Sequence, residues 1–334
     1  GRKKTFLALS SYIIKNVEQT AQLISLETGK LLSDSRLEVS NTVNHIGWAA
    51  RHAEEIMRTS HRAPGALMAN MAATVERSPL GVVGVIGPWN YPIFTPMGSI
   101  SYALAAGNTV VFKPSEYTPA VAIWLEATLR EIHPEHELLT VIPGLPDTGK
   151  FLTSATRGVD KISFTGSTVT AKKVAAACVE KMIPFVLECG GKDPVIVDKD
   201  ANLALAAEFT LWSGMSNGGQ TCIGAERVYV HEIVADEFIE LLKVKSASIS
   251  AGHNYGPATM PRQLEIIQAH IDSALHDGGS AIVGGSSSVH KPFVDPVIIC
   301  DVEESSPAIT EETFGPVLIV NRVPDMDEAI IRSN

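Results

Sequence analysis

Apolar residues recur along this chain in two alternating rhythms. Short runs rich in β-branched and other apolar residues stand at 82–86, 109–112, 139–142, 161–164 and 185–187. Runs of that length, bounded by turn residues, predict strands with little exposed surface. Between several of them lie stretches with helical periodicity, notably 119–132 and 168–182. The first of these has Thr118 as a candidate N-cap and Pro119 at the first helical position. Near the start, Phe6, Ile13, Val17 and Ile24 keep the same helical spacing. Beyond Gly190-Gly191 the alternation resumes, with strands at 195–197, 228–230, 281–283 and 297–299 and helices at 203–212, 233–244 and 262–276. The stretch near 66–78 reads as an edge hairpin, a candidate for subunit contact. Alternating strands and helices predict an α/β architecture with largely parallel strands. The Gly-Gly pair supplies a hinge, dividing the chain into domains at 1–189 and 190–334.

Bulk properties narrow this picture. The chain has 334 residues, about two domains at roughly 150 residues each. With 45% hydrophobic and 19% charged residues it has ample material for packed cores. A net charge of -10 argues against a nucleic-acid surface, which needs clustered basic residues. No stretch reaches the roughly 18 apolar residues of a membrane helix; the best, 100–112, is interrupted by Gly107 and Asn108. The cysteines at 178, 189, 222 and 300 form no CxxC pair, and no histidine cluster has metal-ligand spacing. Free thiols in a chain of this size point to a reducing compartment, the cytoplasm, and no metal is expected. The sequence opens without Met and stops at Asn334 within a helical pattern; it reads as truncated at both ends.

Four places carry residue types suited to chemistry. Cys222 ends the small, polar stretch Ser216-Asn217-Gly218-Gly219-Gln220-Thr221, between an expected helix and an expected strand. The glycines permit backbone geometries that present a thiol in a cleft, whereas Cys178 and Cys300 fall at core positions. Glu188 ends an apolar run and precedes Cys189-Gly190-Gly191-Lys192. A carboxylate at the end of a buried parallel strand sits where α/β folds build sites; an ion pair with Lys192 is the structural alternative. Asn90, in Gly87-Pro88-Trp89-Asn90-Tyr91-Pro92, is placed to donate to a developing oxyanion. Lys113 and Glu116 follow the run at 109–112 and suit ribose hydroxyls. The turn Thr165-Gly166-Ser167 leads from a strand into a helix N-terminus, an arrangement that receives pyrophosphate.

Taken in order, these segments resemble the aldehyde dehydrogenase superfamily. The match runs from Glu27-Thr28-Gly29-Lys30 through Pro88-Trp89-Asn90, Lys113-Pro114-Ser115-Glu116, Phe164-Thr165-Gly166-Ser167 and Leu187-Glu188-Cys189-Gly190-Gly191-Lys192. It continues through Gly219-Gln220-Thr221-Cys222 to Glu311-Glu312-Thr313-Phe314-Gly315-Pro316. The resemblance implies a Rossmann-like cofactor domain and an aldehyde-dehydrogenase-type α/β catalytic domain, incomplete here because the family continues beyond Asn334. It implies that Cys222 attacks an aldehyde to give a thiohemiacetal, with Asn90 and the Cys222 N–H holding the oxyanion. Glu188 would activate water against the resulting thioester. Lys113 and Glu116 would hold the adenosine ribose, Trp89, Gly166 and Ser167 the pyrophosphate region, and Glu312 the nicotinamide ribose with Phe314 beside it. NAD is the expected cofactor, with NADP second, and a homodimer or homotetramer is the expected assembly.

The sequence departs from the family pattern at Cys189, where an aliphatic residue is usual, and at Ala171, where glycine is common. Strand alternation would turn Cys189 away from Glu188 into a core. Two other functions share these motifs: a CoA-acylating or reductive dehydrogenase, and a nucleotide-binding chain without catalysis. Glu188 favours the hydrolytic enzyme, because an acylating relative passes its acyl group to a thiol and needs no water base. Tyr91, Phe94, Met97, Met215 and Ile223 are candidates for an apolar substrate mouth, or for ordinary packing.

Overall fold

The computed structural model describes residues 1–154 and 158–334. They form two compact units, one of Gly1–Glu27 with Ser35–Cys189, the other of Thr28–Asp34 with Gly190–Asn334. The short segment 28–34 thus departs from a simple division at 189/190. Its place in the second unit follows from contact: the Thr28 carbonyl accepts from the Thr259 hydroxyl at 2.8 Å. A Cβ on Gly256 would lie only 2.3 Å from the Gly29 oxygen.

The first unit opens with helices α1 (Arg2–Lys15), α2 (Val17–Thr28) and α3 (Leu32–Met57). Phe6, Ile13 and Ile24 are buried, as their spacing predicts, with Leu9 beside them; Val17 is half-buried. A hairpin follows, with β1 (Ser60–Arg62) antiparallel to β2 (Ala73–Val75). It begins earlier than the sequence suggests. Residues 66–68 are a 3-10 turn in its connection, and Leu67, Met68 and Met71 are exposed, so their apolar character marks no strand.

The body of this unit runs β3 (Val82–Ile86), α4 (Phe94–Ala106), β4 (Thr109–Lys113), α5 (Pro119–Ile132), β5 (Leu139–Val141), α6 (Pro146–Ser154), β6 (Lys161–Thr165), α7 (Thr168–Glu180) and β7 (Phe185–Glu188). The sheet is wholly parallel, in the order β5-β4-β3-β6-β7. Cys178 lies in the core under α7 with Leu152, Ile162, Phe164 and Val174. Gly107 ends α4 in the left-handed conformation that glycine adopts without a Cβ clash. Asn108 then makes the turn: its Oδ1 accepts from the N–H groups of Leu80 and Gly81 at 2.6 and 3.0 Å, and its Nδ2 donates to the Ala103 carbonyl. Replacing Asn108 by Ala strands the Leu80 and Gly81 N–H groups, while the Ala103 carbonyl keeps the Asn108 backbone N–H, and is expected to cost about 1–2 kcal/mol. A urea titration checks this; an unchanged midpoint means that water replaces the amide.

Two helix N-termini in this unit, those of α5 and α4, are capped by carboxylates distant in sequence. The Thr118 side chain, expected to cap α5, makes no capping bond. Instead Glu27 accepts from the N–H groups of Ala120 and Val121 at 2.6 and 3.0 Å. Buried Glu38 does the same for Ile93 and Phe94 at the start of α4. Both carboxylates favour the positive end of a helix dipole.

The second unit contains β8 (Asp193–Val197), α8 (Leu203–Met215), β9 (Ala225–His231), α9 (Glu232–Ser246), α10 (Pro261–His276) and β10 (Ser280–Val283). A small hairpin of β11 (Val289–His290) and β12 (Phe293–Val294) leads to β13 (Val297–Cys300), α11 (Pro307–Thr310), β14 (Val317–Val323) and α12 (Met326–Ser333). Its main sheet has the order β10-β13-β14-β9-β8, with only β10 antiparallel. Strand β14, absent from the sequence reading, lies at its centre. The described residues include no helix long and apolar enough to cross a membrane.

Candidate active site

In the first unit, the candidate residues collect along one rim of the sheet. Chain order reverses between β3 and β6: from β3 the chain builds outward through β4 to β5, then returns to place β6 and β7 on the other side. The crevice beyond the carboxyl ends of strands at such a reversal is where open α/β sheets bind ligands. Register places Ile86 opposite Lys113 on one side and Phe164 on the other, and Thr165 opposite Glu188. The segments leaving these ends carry Trp89 and Asn90 after β3, Lys113 and Glu116 at β4, Gly166 and Ser167 after β6, and Glu188 on β7. Asn90 is buried and Trp89 half-buried.

Close packing fixes this rim. A Cβ on Gly87 would lie 2.8–2.9 Å from Pro96 and Phe112, and one on Gly166 would lie 2.8 Å from the Phe164 ring. Ser167 is the N-cap of α7, its Oγ accepting from the Thr170 N–H at 3.4 Å. The buried Lys113 ammonium donates to the Pro114 carbonyl at 2.9 Å and stands 3.6 Å from the Glu116 carboxylate. One cation and one carboxylate are thus offered together at the end of β4. Ala171 is buried in the first turn of α7, in the core with Cys178 and Val174.

Two sequence expectations for this rim are corrected. Glu188 does end a parallel strand, but β7 is the sheet's edge and largely exposed. Cys189 is exposed, not a core thiol, because the strand stops at Glu188 and its alternation does not extend further.

The second unit gathers its candidates at the opposite kind of place, the amino ends of parallel strands. Cys222 precedes β9, Glu312 and Phe314 precede β14, and Gly190-Gly191-Lys192 precedes β8. Three successive residues, Asn217, Gly218 and Gly219, have positive φ of 54°, 64° and 70°. Two of them being glycine keeps this reversal accessible. Gln220 is buried and ties the loop down: its amide donates to the carbonyls of Asn217 and Pro257, and its oxygen accepts from Thr259 N–H at 2.9 Å. A tight turn closed by Gly224 N–H to Thr221 O, 2.9 Å, then carries Cys222 half-buried. A Cβ on Gly219 would come within 2.1 Å of the Gly315 carbonyl, so the thiol's loop lies directly on the loop of Glu312 and Phe314.

Glu312 is half-buried. Burial pushes its carboxyl up to about 7, the Glu226 carboxylate adds to the rise, and the Lys192 ammonium opposes it. A perturbed carboxyl of this kind marks candidate functional sites. Gly190 leaves room for it, since a Cβ there would overlap the carboxylate. Lys192 does not pair with Glu188, the alternative its sequence position suggested; it pairs with Glu226 at 2.6 Å. Glu226 went unremarked in the sequence. It lies two residues before the expected strand at 228–230, and β9 extends back over it. Of the candidate substrate-mouth residues, Met97 and Met215 belong to the cores and Ile223 is exposed. Among the described residues no group of acidic, histidine or cysteine side chains could hold a metal ion.

A profile of the aldehyde dehydrogenase family matches residues 1–334. The chain belongs to that family, and it is an NAD(P)-dependent enzyme that oxidises aldehydes. A mitochondrial aldehyde dehydrogenase of Leishmania tarentolae is 35% identical over 342 residues, covering 100% of this chain and 68% of the relative. A chloroplastic aminoaldehyde dehydrogenase of Arabidopsis thaliana is also 35% identical, over 343 residues with the same coverage. Among solved structures, an E. coli NADP-dependent enzyme aligns with a TM-score of 0.95 at 31% identity, across 100% of this chain and 70% of that one. An aldehyde dehydrogenase from Brucella melitensis biovar abortus 2308 gives 0.94 at 30% identity, with 100% and 69% covered.

Proposed function

We propose that the enzyme converts an aldehyde to a carboxylic acid through a covalent intermediate on Cys222, with NAD as the preferred cofactor. One observation carries the reading: Gly219 packs on Gly315, so the loop that carries the half-buried Cys222 rests on the loop of Glu312 and Phe314. The residues present fit a dinucleotide. The β3/β6 reversal offers a crevice, Gly166 keeps its turn free of a Cβ, and the α7 N-terminus with Ser167 suits a pyrophosphate. When bound, the nicotinamide accepts the hydride that leaves the substrate carbon.

The chain's own residues do the rest. The Cys222 sulfur forms a bond to the aldehyde carbon as its proton passes to solvent, and the carbonyl oxygen becomes an oxyanion that Asn90 and the Cys222 N–H stabilise. Loss of hydride leaves a thioester. Glu188 takes a proton from water, whose oxygen attacks the thioester carbon; the carbon–sulfur bond breaks, and the proton passes from Glu188 to the departing sulfur, leaving the acid and the free thiol. A panel of simple, amino- and carboxy-substituted aldehydes, followed by NADH absorbance with and without CoA, tests this reading. Acid formed without CoA is expected. Strict dependence on CoA, with acyl-CoA as product, replaces it with the acylating reaction.

The preference for NAD rests on Glu116. Its carboxylate suits ribose hydroxyls and repels a 2′-phosphate at close range. Lys113, 3.6 Å away, is already engaged by that carboxylate. Glu116→Ser is expected to raise kcat/KM with NADP and lower it with NAD, narrowing the ratio at least about tenfold. A wild-type enzyme several-fold better with NADP sinks this assignment; one solved neighbour is described as NADP-dependent, so the comparison is sharp. The four free thiols accord with a reducing compartment such as the cytoplasm, and a homo-oligomer is the proposed assembly.

A further inference from the structure

Four residues past Cys222, at the start of β9, Glu226 is 3% exposed, and both of its oxygens are used. Oε2 accepts from the Lys192 ammonium at 2.6 Å and from the Thr313 N–H at 2.7 Å; Oε1 accepts from the Phe314 N–H at 2.8 Å. Thr313, 1% exposed, is held at every polar atom. Its hydroxyl accepts from Lys192 at 2.8 Å and pairs with His270 Nδ1 at 3.0 Å, and its carbonyl accepts from the Gln263 amide at 2.6 Å. The residue between Glu312 and Phe314 therefore has no freedom of its own.

A buried ion pair is poor value as a source of stability, since desolvation offsets most of its attraction. Its other use is to specify one geometry, and the geometry here is unusual. Phe314 has φ +52°, a left-handed conformation that a bulky residue rarely adopts. Such strain persists where surrounding bonds over-determine it, and the N–H of this residue is aimed at Glu226.

We infer that Glu226, held by Lys192, is a positioning residue that clamps the Glu312–Phe314 loop in the shape that receives the cofactor's nicotinamide ribose. The inference rests on the proposed roles of Glu312 and Phe314. Neither Glu226 nor Lys192 need touch the cofactor. The clamp acts through two backbone N–H groups and the Thr313 hydroxyl. It also ties the strand that follows the nucleophile turn to the loop on which that turn rests.

The test uses the full chain as wild type, Glu226→Gln, Glu226→Asp and Thr313→Val. NADH affinity is measured by fluorescence titration and amide exchange at 313–314 by mass spectrometry. Steady-state assays then separate the KM for NAD from the KM for aldehyde. Gln can accept through only one atom, so Glu226→Gln is expected to weaken NADH binding about tenfold and raise the KM for NAD alike. The KM for aldehyde should stay within about twofold, and exchange at Thr313 and Phe314 should quicken. Asp keeps the charge opposite Lys192 but is one carbon short, so Glu226→Asp should fall between Gln and wild type. Folded Glu226→Gln with wild-type NADH affinity overturns the clamp while leaving the cofactor reading intact. If Glu226→Gln does not fold, Thr313→Val decides: a several-fold loss of NADH affinity supports the clamp, and none overturns it. A folded wild type that binds no NADH overturns the cofactor reading and the clamp with it.

Discussion

Replacing Cys222 by alanine is expected to remove aldehyde oxidation by at least about a thousandfold while NADH still binds. The loss follows from chemistry: without the sulfur there is no covalent adduct at this position. Binding should survive because Cys222 sits at the tip of a turn whose shape is set by Gly218, Gly219 and buried Gln220, none of which is altered. The other thiols sharpen the experiment. Cys178 and Cys300 are buried, and burial pushes both thiols up, Cys300 to about 11. Alkylation is thus a contest between half-buried Cys222 and exposed Cys189. Saturating aldehyde should slow labelling of Cys222 and leave Cys189 unchanged, as peptide mapping can read. A Cys222→Ala enzyme that still turns over, beside a Cys189→Ala enzyme that does not, transfers the role to Cys189.

The alternation of strands and helices was legible because parallel strands covered on both faces leave continuous apolar runs. The run at 82–86 is strand β3 to the residue, and 119–132 is α5. Legibility failed where composition and environment diverged. Strand β14 is a buried apolar run at the centre of a sheet, directly after the motif at 311–316. The hairpin was displaced because exposed Leu67, Met68 and Met71 look like strand residues but occupy its connection. At Cys189, alternation was carried one residue past the point where β7 ends.

Site residues were legible to the extent that their role is local. Gly218, Gly219 and Gly166 announce their turns, and Ser167 announces the start of α7. Residues acting through long-range hydrogen bonds left no such mark. Glu27 caps a helix some ninety positions along the chain, and Glu226 reaches Thr313 and Phe314 across a similar span. Lys192 shows the same limit from the other side. Its nearest carboxylate in sequence is Glu188, but its partner in space is Glu226, which lies across the β8–β9 pair and is equally buried. Sequence proximity favours the first pairing; a buried ammonium, whose charge burial disfavours, requires the second.

Glu188→Gln is expected to separate the two halves of the reaction. If the carboxylate serves as base for the deacylating water, the first turnover needs it little, because formation of the thioester requires Cys222 and cofactor but no water. Mixing the variant with aldehyde and NAD should therefore give a burst of NADH close to one equivalent per site, followed by a steady state slowed about 100- to 1,000-fold. Glutamine keeps the shape of the side chain but cannot accept the proton. Exposure at the end of edge strand β7 makes the change safe for folding, since substitutions at exposed positions usually shift stability by less than about 0.5 kcal/mol. Trapping the accumulated species with hydroxylamine should release the hydroxamate of the substrate acid, which a free enzyme cannot yield. Equal loss of burst and steady state makes Glu188 the group that takes the Cys222 proton instead. Wild-type turnover in the variant removes it from the mechanism, and the deacylating base must then be sought elsewhere in the chain.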